Sequence, residues 1–445
     1  MNQHPDRRRF LQASAATGIS FWIGGASRAA ESTSPNSQVQ VACIGLGGKG
    51  GSDSRNAARH GKIVAVCDID RQQLERAGKR FQAETFTDFR QMLDQLGDRV
   101  DAVTISTPDH IHALAAAMAI RAGKHVFCQK PLTHSIYEAR LLSELAREKG
   151  VSTQMGNQFT ALDSMRKTAH QIRDGQLGNV SEVHIWTDRP VWPQGEARPP
   201  SKPVPAHVEW DQWIGPAPYR EYADGYHPFK WRGWWDFGTG ALGDMACHTC
   251  NLPFMALNMR NPTSVQAVTS GHDRDSYPSW SKIDFEFPEL GGRAAFRMHW
   301  YDGSQLPPQS LFQDVKPAGS GVIIVGDKGT LYAAGDYAQK GTQWIGVEPT
   351  DVDYPKAGAG NIEDLHVAEW FAGMEGGSTP MSNFPDYAGP LTETILLGNL
   401  AVYAANQANV PGKKVAWDAA NLVPTNAPEL AQVVKRDYRD GWELA

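Results

Sequence analysis

Cysteine, positive charge and long apolar runs are all scarce in this chain of 445 residues. The 5 cysteines are an odd number at irregular spacing, which is not typical of a disulfide framework. Lysine and arginine number 43 against 49 for aspartate and glutamate, so the formal net charge is −6. No excess of positive charge is available to neutralise nucleic-acid phosphates, and no run reaches the roughly 18 apolar residues of a membrane span. We therefore expect a globular protein that neither binds nucleic acid nor spans a membrane.

Two of the cysteines, Cys247 and Cys250, have the CxxC spacing found in some metal and redox sites, with His248 between them. No second ligand pair accompanies them, whereas a structural zinc site commonly uses four ligands. The spacing leaves two interpretations, a metal or redox site and a pair of small residues that pack inside a helix. We favour packing and predict no metal site.

The N-terminus has the order of an export signal. Three arginines, Arg7–Arg9, are followed by Phe10 and Leu11 and by an apolar stretch rich in alanine and glycine. This order resembles a twin-arginine signal, which exports proteins that are already folded. We assign residues 1–30 to the signal and 31–38 to a polar linker, and expect a periplasmic or otherwise exported protein that uses the twin-arginine machinery. An uncleaved basic tail is the alternative.

The region after the linker alternates between short apolar runs and stretches of helical periodicity. The apolar runs lie at 39–45, 62–68, 102–106, 125–128 and 152–155. Strands that alternate with helices predict a doubly wound parallel sheet of the α/β class. We place a dinucleotide-binding Rossmann domain at 39–158.

The second half of the chain has a different composition. Residues 188–235 are rich in Pro, Trp, Tyr and Gly and predict a long ordered loop over a site. Short β-like runs follow, and two helical stretches near 364–374 and 391–405 come after them. This pattern predicts an α/β domain at 159–445 with a mostly antiparallel sheet, which we assign to substrate binding and oligomerisation.

A glycine-rich turn follows the first predicted strand. Gly45, Gly47 and Gly50 form a GxGxxG pattern between an apolar run and a helix, where free N–H groups can bind a pyrophosphate. The next strand ends on Asp68, whose carboxylate can accept hydrogen bonds from ribose hydroxyls. Its charge favours NAD, although Arg71 is placed to accommodate the extra phosphate of NADP. An ordinary glycine turn is the alternative.

Four further motifs follow in the chain. They are Thr107-Pro108-Asp109-His110-Ile111-His112, Gln129-Lys130-Pro131, Gly156-Asn157-Gln158 and Gly240-Ala241-Leu242-Gly243-Asp244-x-x-x-His248. Together with the glycine turn they resemble the Gfo/Idh/MocA oxidoreductase family, named after glucose-fructose oxidoreductase and inositol dehydrogenase. The resemblance extends over most of 39–410. It implies a Rossmann domain joined to an α/β domain with a large open, mostly antiparallel sheet, and an active site between them.

The resemblance also implies site residues. It places Lys130 beside the nicotinamide and the substrate, and it adds the Asp244–His248 pair. The cofactor-binding residues it implies are Gly45, Leu46, Gly47, Gly50, Asp68, Ser106, Thr107, Pro108, His112, Gln129, Lys130, Asn157 and Gln158. This chain departs from the family at Gln129, where the family usually has Glu, so the setting of Lys130 is open.

The chemistry of a carbinol agrees with these residues. His248 can take the hydroxyl proton while Lys130 hydrogen-bonds the reacting oxygen, and Asp244 can orient either group. Asp244 and His248 are four residues apart and share one helix face. On spacing alone, a helix cap for Asp244 and a packed core position for His248 are the alternative.

The sequence HPFKWRGWWDFG at 227–238 comes directly before this helix. Aromatic faces beside charged groups suit a sugar, whose C–H faces stack while its hydroxyls take polar partners. We predict substrate contacts from Trp231, Arg232, Trp234 and Trp235, and a role in the core is the alternative.

These observations predict an exported oxidoreductase that moves hydride between a tightly bound NAD, or NADP, and a hydroxyl carbon of a sugar, glycoside or polyol. An exported cofactor must be regenerated in place, by a second substrate or by return of the hydride to the same one. The second design is a redox-neutral glycoside hydrolase or lyase that acts by transient C3 oxidation and elimination. A non-catalytic sugar-binding protein is a further alternative. We expect a homo-oligomer.

Overall fold

The computed structural model describes residues 38–313 and 315–444. The predicted signal at 1–30 and all but the last residue of the predicted linker lie outside these residues. Within them, the strands form a six-stranded sheet and a nine-stranded sheet. The predicted fold class, a Rossmann domain followed by an α/β domain with a mostly antiparallel sheet, is confirmed.

The first sheet is parallel throughout and has the strand order β3-β2-β1-β4-β5-β6. Its strands are β1 (Gln40–Ile44), β2 (Lys62–Cys67), β3 (Glu84–Phe86), β4 (Ala102–Ile105), β5 (His125–Cys128) and β6 (Thr153–Met155). The register pairs Ile44 with both Cys67 and Ile105. The carboxyl ends of β1, β2 and β4 therefore meet at one edge, where a doubly wound sheet forms its binding crevice.

Five helices connect these strands. They are α1 (Lys49–Ala57), α2 (Arg71–Phe81), α3 (Phe89–Leu96), α4 (Asp109–Arg121) and α5 (Ile136–Lys149). The ends of α5 are fixed by local sequence, since Ser135 and Glu138 form a capping box and Gly150 ends the helix in the left-handed conformation. By contrast, α1 begins after Gly48, and no described side chain caps it. The Gly50 N–H donates to the Gly47 carbonyl at 2.9 Å, and no described side chain competes with a ligand for the remaining N–H groups of the first turn.

The second sheet has the order β13-β12-β11-β7-β10-β9-β8-β14-β15. Its strands are β7 (Val180–Trp186), β8 (Ser264–Thr269), β9 (Ser281–Phe287), β10 (Phe296–Tyr301), β11 (Gly321–Gly326), β12 (Thr330–Ala334), β13 (Thr342–Ile345), β14 (Val415–Asp418) and β15 (Val423–Pro424). Among the described strands of this sheet, β7 and β10 are the one parallel pair, and the others pair antiparallel.

One face of the second sheet packs against helices. The later helices are α6 (Asp163–Arg173), α7 (Trp210–Ile214), α8 (Gly240–Thr249), α9 (Asn251–Leu257), α10 (Ile362–Met374), α11 (Gly389–Ala404) and α12 (Ala431–Val434). Phe285 and Trp300 of the sheet share a buried core with Leu242 of α8 and Leu396 of α11. Burial of each such side chain contributes about 1.5–3 kcal/mol. No described helix is long and apolar enough to cross a bilayer.

Helix α10 packs back onto the first sheet although it comes late in the chain. Val367, Trp370 and Phe371 form a core with Val41 and Phe127. The Trp370 indole N–H donates to the Ser152 carbonyl at 3.2 Å. The predicted domain boundary at 158/159 stays a prediction, and this late helix belongs to the layer that covers the Rossmann sheet.

The long loop at 188–235 has a small core of its own. Trp210 and Trp213 stack with ring centroids 4.6 Å apart, and the Trp210 indole donates to the Arg220 carbonyl at 2.7 Å. Tyr226 and Phe237 pack in the same cluster. Because these rings bury one another, the loop is ordered without regular secondary structure over most of its length.

All five cysteines are free and buried. Burial raises the pKa of Cys247 to about 12, so its thiol stays protonated. Cys247 and Cys250 both belong to the core around α8. The pair is therefore packed inside the core, in agreement with the packing interpretation.

Candidate active site

A cavity of about 780 Å³ opens at the carboxyl edge of the first sheet and extends to α8 and the long loop. We use two names for parts of its lining. The cofactor wall is Gly45, Gly47, Asp68, Ser106, Thr107 and Pro108, and the ionic wall is Lys130, Arg232, Asp244 and His248. Gln129 and Gln158 line the same cavity. The structure therefore brings most of the predicted cofactor and catalytic residues to one space.

The glycine turn of the cofactor wall is required by sterics. Gly45 has a φ of +82°, and a Cβ there would lie 2.5 Å from the Ser106 carbonyl oxygen. A Cβ at Gly50 would lie 2.1 Å from the Gly45 carbonyl oxygen. Gly50 thus lets α1 pack against the turn, while Gly47 and Gly48 face the cavity. The uncapped start of α1 lies directly behind this turn and fits a pyrophosphate.

Asp68 ties the turn to the end of β2. Its carboxylate accepts the Leu46 N–H at 2.7 Å and the Asp70 N–H at 2.9 Å. Burial raises the pKa of Asp68 to about 6, against the backbone hydrogen bonds that lower it. Two carboxylate oxygens offer about four acceptor positions, so lone pairs remain for ribose hydroxyls on the cavity side.

Arg71, the residue that the sequence offered for binding the extra phosphate of NADP, is already paired with a carboxylate. Its Nε donates to Glu209 at 2.7 Å, and the guanidinium forms an ion pair with the same carboxylate. Asp70 also lines this end of the cavity and caps α2 by accepting the Gln72 N–H. Two aspartates and a neutralised arginine fit the free ribose hydroxyls of NAD better than a 2′-phosphate.

Lys130 is held by Asp244. Its Nζ donates to Asp244 Oδ1 at 2.7 Å and to the Asp244 carbonyl at 3.0 Å. Arg232 Nε lies 3.2 Å from the same Oδ1. Burial acts to raise the pKa of Asp244, but Lys130 and Arg232 outweigh it and hold that pKa well below its usual range. Asp244 is thus an ionised anchor for two cations and not a helix cap, because Thr239 precedes the helix.

His248 lies one turn beyond Asp244 on α8 and lines the cavity. Its Nδ1 is buried without a hydrogen-bond partner among the described residues. The ring packs edge-on against Tyr337, with centroids 4.7 Å apart. Burial, then the nearby Lys130 charge, lowers the pKa of His248 well below its usual value. The imidazole is therefore neutral at physiological pH.

Gln129, which stands where the family usually has Glu, is hydrogen-bonded to Asp53 of α1. Gln129 Nε2 donates to Asp53 Oδ2 at 2.8 Å, and the Ser106 hydroxyl donates to the same oxygen at 2.8 Å. Burial raises the pKa of Asp53, against the charge of Lys49. A Glu at 129 would place a second buried carboxylate against Asp53, whereas Gln donates a hydrogen bond to it. The carboxylate near Lys130 is supplied by Asp244 instead.

The predicted substrate residues divide into two pairs. Trp231 and Arg232 line the cavity, and the guanidinium lies 4.3 Å from the Trp231 ring centroid. The cavity lining does not include Trp234 or Trp235. Trp234 is buried in the loop core and donates to the Gly225 carbonyl at 2.8 Å, and Trp235 stacks on Tyr277 at 3.8 Å. Neither indole lines the cavity: Trp234 is buried, and Trp235 is partly buried and packs against the core. Substrate contact by these two residues stays a prediction that this packing does not favour.

Four predicted cofactor residues also lie behind the lining. Leu46 and Gly50 support the turn from within. His112 is buried between two loops, with its ring nitrogens 2.8 Å from the Pro131 and Thr107 carbonyl oxygens. Asn157 is buried and accepts the Ser382 hydroxyl. These residues position the lining without reaching the cavity.

Asp109 is the principal site residue for which the sequence predicted no role. It is 1% exposed and accepts Arg232 Nη1 at 3.0 Å, as well as the Thr239 N–H at 3.1 Å. It thus joins α4 to the start of α8 and holds Arg232 in place. The TPDHIH motif contains Asp109 and could have indicated a role for it. The motif does not reveal its partner Arg232, which lies 123 residues away in the chain.

Comparisons with known proteins identify the family of this chain. A family model described as "Oxidoreductase family, NAD-binding Rossmann fold" matches residues 39–157, and one for the C-terminal alpha/beta domain of the same family matches residues 172–294. The chain belongs to the Gfo/Idh/MocA oxidoreductase family. Its N-terminal domain is the NAD-binding domain of that family.

Individual relatives are distant. Glucose-6-phosphate 3-dehydrogenase of Bacillus subtilis is 26% identical over 148 residues, which are 33% of this chain and 41% of that protein. The chain thus spans less than half of the length of such curated relatives.

Solved structures extend the likeness to most of the chain. The WlbA dehydrogenase of Chromobacterium violaceum, in complex with NADH and UDP-GlcNAcA, has a TM-score of 0.60 at 18% identity and covers 85% of this chain and 97% of its own. An aldose-aldose oxidoreductase of Caulobacter crescentus has a TM-score of 0.57 at 18% identity and covers 84% and 99%. At this identity the structures show a shared fold.

Proposed function

We propose that the protein is an NAD-dependent oxidoreductase that acts on a hydroxyl-bearing carbon of a sugar, glycoside or polyol. The observation that carries this proposal is that the cofactor wall and the ionic wall line one cavity. The names of relatives support it, since one is a glucose-6-phosphate 3-dehydrogenase and a solved neighbour holds NADH together with a nucleotide sugar.

The chemistry assigns a task to each group of the ionic wall. NAD, when bound, supplies the hydride acceptor or donor. Oxidation of a carbinol also requires that the hydroxyl proton leaves and that the oxygen is stabilised as negative charge develops. Neutral His248 accepts that proton, so the imidazole becomes imidazolium while the substrate carbon loses its hydride. In the reverse reaction the imidazolium returns the proton.

Lys130 is positioned to hold the reacting oxygen. An ammonium has three N–H donors, and two of them are directed at Asp244. The third is available for the substrate oxygen. Asp244 orients the ammonium. Arg232 is held by Asp109 and, together with Lys130, compensates the negative charge of Asp244.

The cofactor proposal is tested on the purified protein. Because the cofactor is proposed to be tightly bound, we expect NAD in the supernatant after denaturation, identified by mass spectrometry. A protein that is free of nucleotide and also fails to bind added NAD or NADP would overturn the assignment. Predominant NADP would contradict the reasoning from Asp68 and Arg71.

We also propose that the protein is exported by the twin-arginine route with its cofactor already bound. The arginines at the N-terminus motivate this proposal. Replacing Arg7→Lys and Arg8→Lys together should retain the protein in the cytoplasm, as measured by cell fractionation. Unchanged export would refute the twin-arginine route, and a cytoplasmic wild type would refute export.

Size-exclusion chromatography with light scattering tests the expected homo-oligomer.

Lys130, Asp244 and His248 can serve either net oxidation or a redox-neutral cycle, so the two reactions are distinguished by their products. We favour net oxidation. In heavy water with a panel of glycosides and no added acceptor, an oxidoreductase should form about one equivalent of keto-sugar per bound cofactor and stop. Repeated turnover with aglycone release, and deuterium next to the oxidised carbon, would establish the redox-neutral hydrolase instead. Binding of a sugar without either reaction would indicate a non-catalytic sugar-binding protein.

A further inference from the structure

A group of metal-ligating side chains lies on the nine-stranded sheet, outside the cavity described above. It consists of Glu182 and His184 on β7 and His299 on β10. Each offers one ligand atom, and the three atoms lie within 4.8 Å of one another. In the part of the chain that the structure describes, this is the one cluster of three or more His, Cys, Asp or Glu side chains that is close enough to hold a metal ion.

The parallel pairing of β7 and β10 creates this group. Its register sets His184 directly beside His299, and the two imidazole rings stack with centroids 4.7 Å apart. Glu182 lies two residues before His184, so strand alternation puts both on the same face. Val183 and Trp300, which point to the other face, belong to the core against the helices. The group is therefore on the face away from that core.

Each imidazole has a hydrogen-bond partner at Nδ1. His299 Nδ1 lies 2.6 Å from Asp284 Oδ1 on β9, and His184 Nδ1 lies 3.2 Å from the Tyr301 hydroxyl. Histidines that bind metals commonly have such a partner on the second ring nitrogen, which fixes the tautomer and the ring orientation. Nε2 is then the ligand atom of each ring. That of His184 is hydrogen-bonded to Glu182 Oε2 at 3.0 Å, a contact that an ion bound by both groups would replace.

One pair of ligand atoms has the spacing of a small tetrahedral ion. Ligand atoms bound to zinc at about 2.0–2.1 Å are roughly 3.3 Å from one another. His184 Nε2 and Glu182 Oε2 are 3.0 Å apart. The His299 ligand atom lies within 4.8 Å of the other two, so closure onto one ion requires that this partly exposed side chain rotate towards them. Two imidazoles and one carboxylate suit zinc-like ions better than magnesium or calcium, which prefer oxygen ligands.

We infer that Glu182, His184 and His299 bind one divalent ion of the zinc class, with a fourth position open to water. The ion links β7 to β10 across the parallel pair of the sheet. None of the three side chains lines the cavity, so the inference stands independently of the proposed function.

The test is a zinc titration of the untagged full chain after removal of metals with a chelator. A chromogenic zinc indicator competes with the protein, and we expect one zinc ion per chain. His299→Gln and Glu182→Gln should each weaken binding by at least about tenfold. Asp284→Asn leaves the three ligands in place but removes the carboxylate on His299 Nδ1, and should weaken binding by about tenfold. Magnesium in large excess should not compete.

His170→Gln on α6 is the matched control and should bind zinc like the wild type. His299 and Glu182 are preferred for substitution because their side chains are 19% and 43% exposed, whereas His184 is buried. Circular dichroism confirms that the variants are folded, and zinc should raise the wild-type Tm but not that of His299→Gln. Substoichiometric zinc binding by the wild type, or unchanged affinity in both ligand variants, would overturn the inference.

Discussion

The cofactor wall is built around a glycine turn, whereas the ionic wall consists of three charged side chains and one neutral imidazole. At Gly45, what matters is the absence of a side chain, since a Cβ has no room. At Asp244, what matters is charge, since one buried carboxylate anchors both Lys130 and Arg232. Removing one partner of a buried ion pair typically costs about 3–5 kcal/mol, because the other charge is left uncompensated. Substitutions in the cofactor wall should therefore act through steric fit, and substitutions in the ionic wall through charge.

Substitutions in the ionic wall should have the largest effect, and it should appear in turnover. We expect Lys130→Met or His248→Gln to lower kcat by roughly 10²–10⁴-fold, because each removes a group that holds the oxygen or takes the proton. NAD affinity should stay largely intact. Steady-state rates with the best substrate of the glycoside panel and NAD titrations measure the two quantities.

Lys79→Met, on the exposed face of α2, is the control for loss of a lysine and should leave both quantities unchanged. Near-normal turnover in both Lys130→Met and His248→Gln would return these residues to purely structural roles.

The junction between the walls is tested at Gln129. Gln129→Glu restores the family's usual residue but sets a carboxylate against buried Asp53, so we expect a loss of about 3 kcal/mol in unfolding free energy at pH 8. Mutual repulsion raises the pKa of the pair, so the folded state binds protons more tightly than the unfolded state. The loss should therefore shrink as the pH falls towards 5. Urea unfolding at the two pH values measures it.

The double variant Gln129→Glu with Asp53→Asn exchanges the two groups and should recover most of the lost stability. If the double variant is as unstable as the sum of the single variants, the hydrogen bond between Asp53 and Gln129 is not the reason for Gln at this position.

Two alanine substitutions in the cofactor wall separate steric fit from ligand contact. Gly45→Ala combines a left-handed φ with a close contact to Ser106 and should cost about 1–3 kcal/mol of unfolding free energy. Gly47→Ala meets no described protein atom closer than 4.0 Å, so stability should change by less than about 0.5 kcal/mol. It should still weaken NAD binding, because the backbone must approach the pyrophosphate closely. Equal stability of the two variants would contradict the assignment of the turn.

The smallest expected effect is the pH dependence of NAD binding. Burial raises the pKa of Asp68 to about 6, and the ionised carboxylate is the better acceptor for ribose hydroxyls. NAD affinity should therefore rise with pH through about 6 and be up to about tenfold weaker at pH 5 than at pH 8. Isothermal titration calorimetry across this range measures it. Asp68→Asn should bind more weakly at every pH and show no such slope, whereas a flat profile for the wild type would contradict the role of Asp68.

Local pattern was sufficient for several parts of this site. Gly45 and Asp68 were predicted because a strand, a turn and a helix follow one another within a short stretch. Asp244 and His248 were predicted to share a helix face from their spacing alone, and the structure places both on α8. For these residues the neighbours along the chain decide the geometry, since helix and strand periods are properties of local backbone conformation.

Pairings between distant segments were not predictable in this way. Trp231 lines the cavity while Trp234, three residues later, is buried in the loop core. The composition of that segment is the same for both, and only the path of the loop separates them.

The sequence by itself determined the fold class and the glycine turn, because both depend on short-range periodicity and sterics. Its resemblance to the family added Lys130, Asp244 and His248 as predicted site residues. The tertiary structure decided which side chains form hydrogen bonds and ion pairs with one another. Asp53 meets Gln129 from 76 residues away, and Asp109 meets Arg232 from 123 residues away. His184 reaches His299 only through the register of one parallel strand pair. Such contacts are set by how elements pack, and packing depends on the whole chain at once.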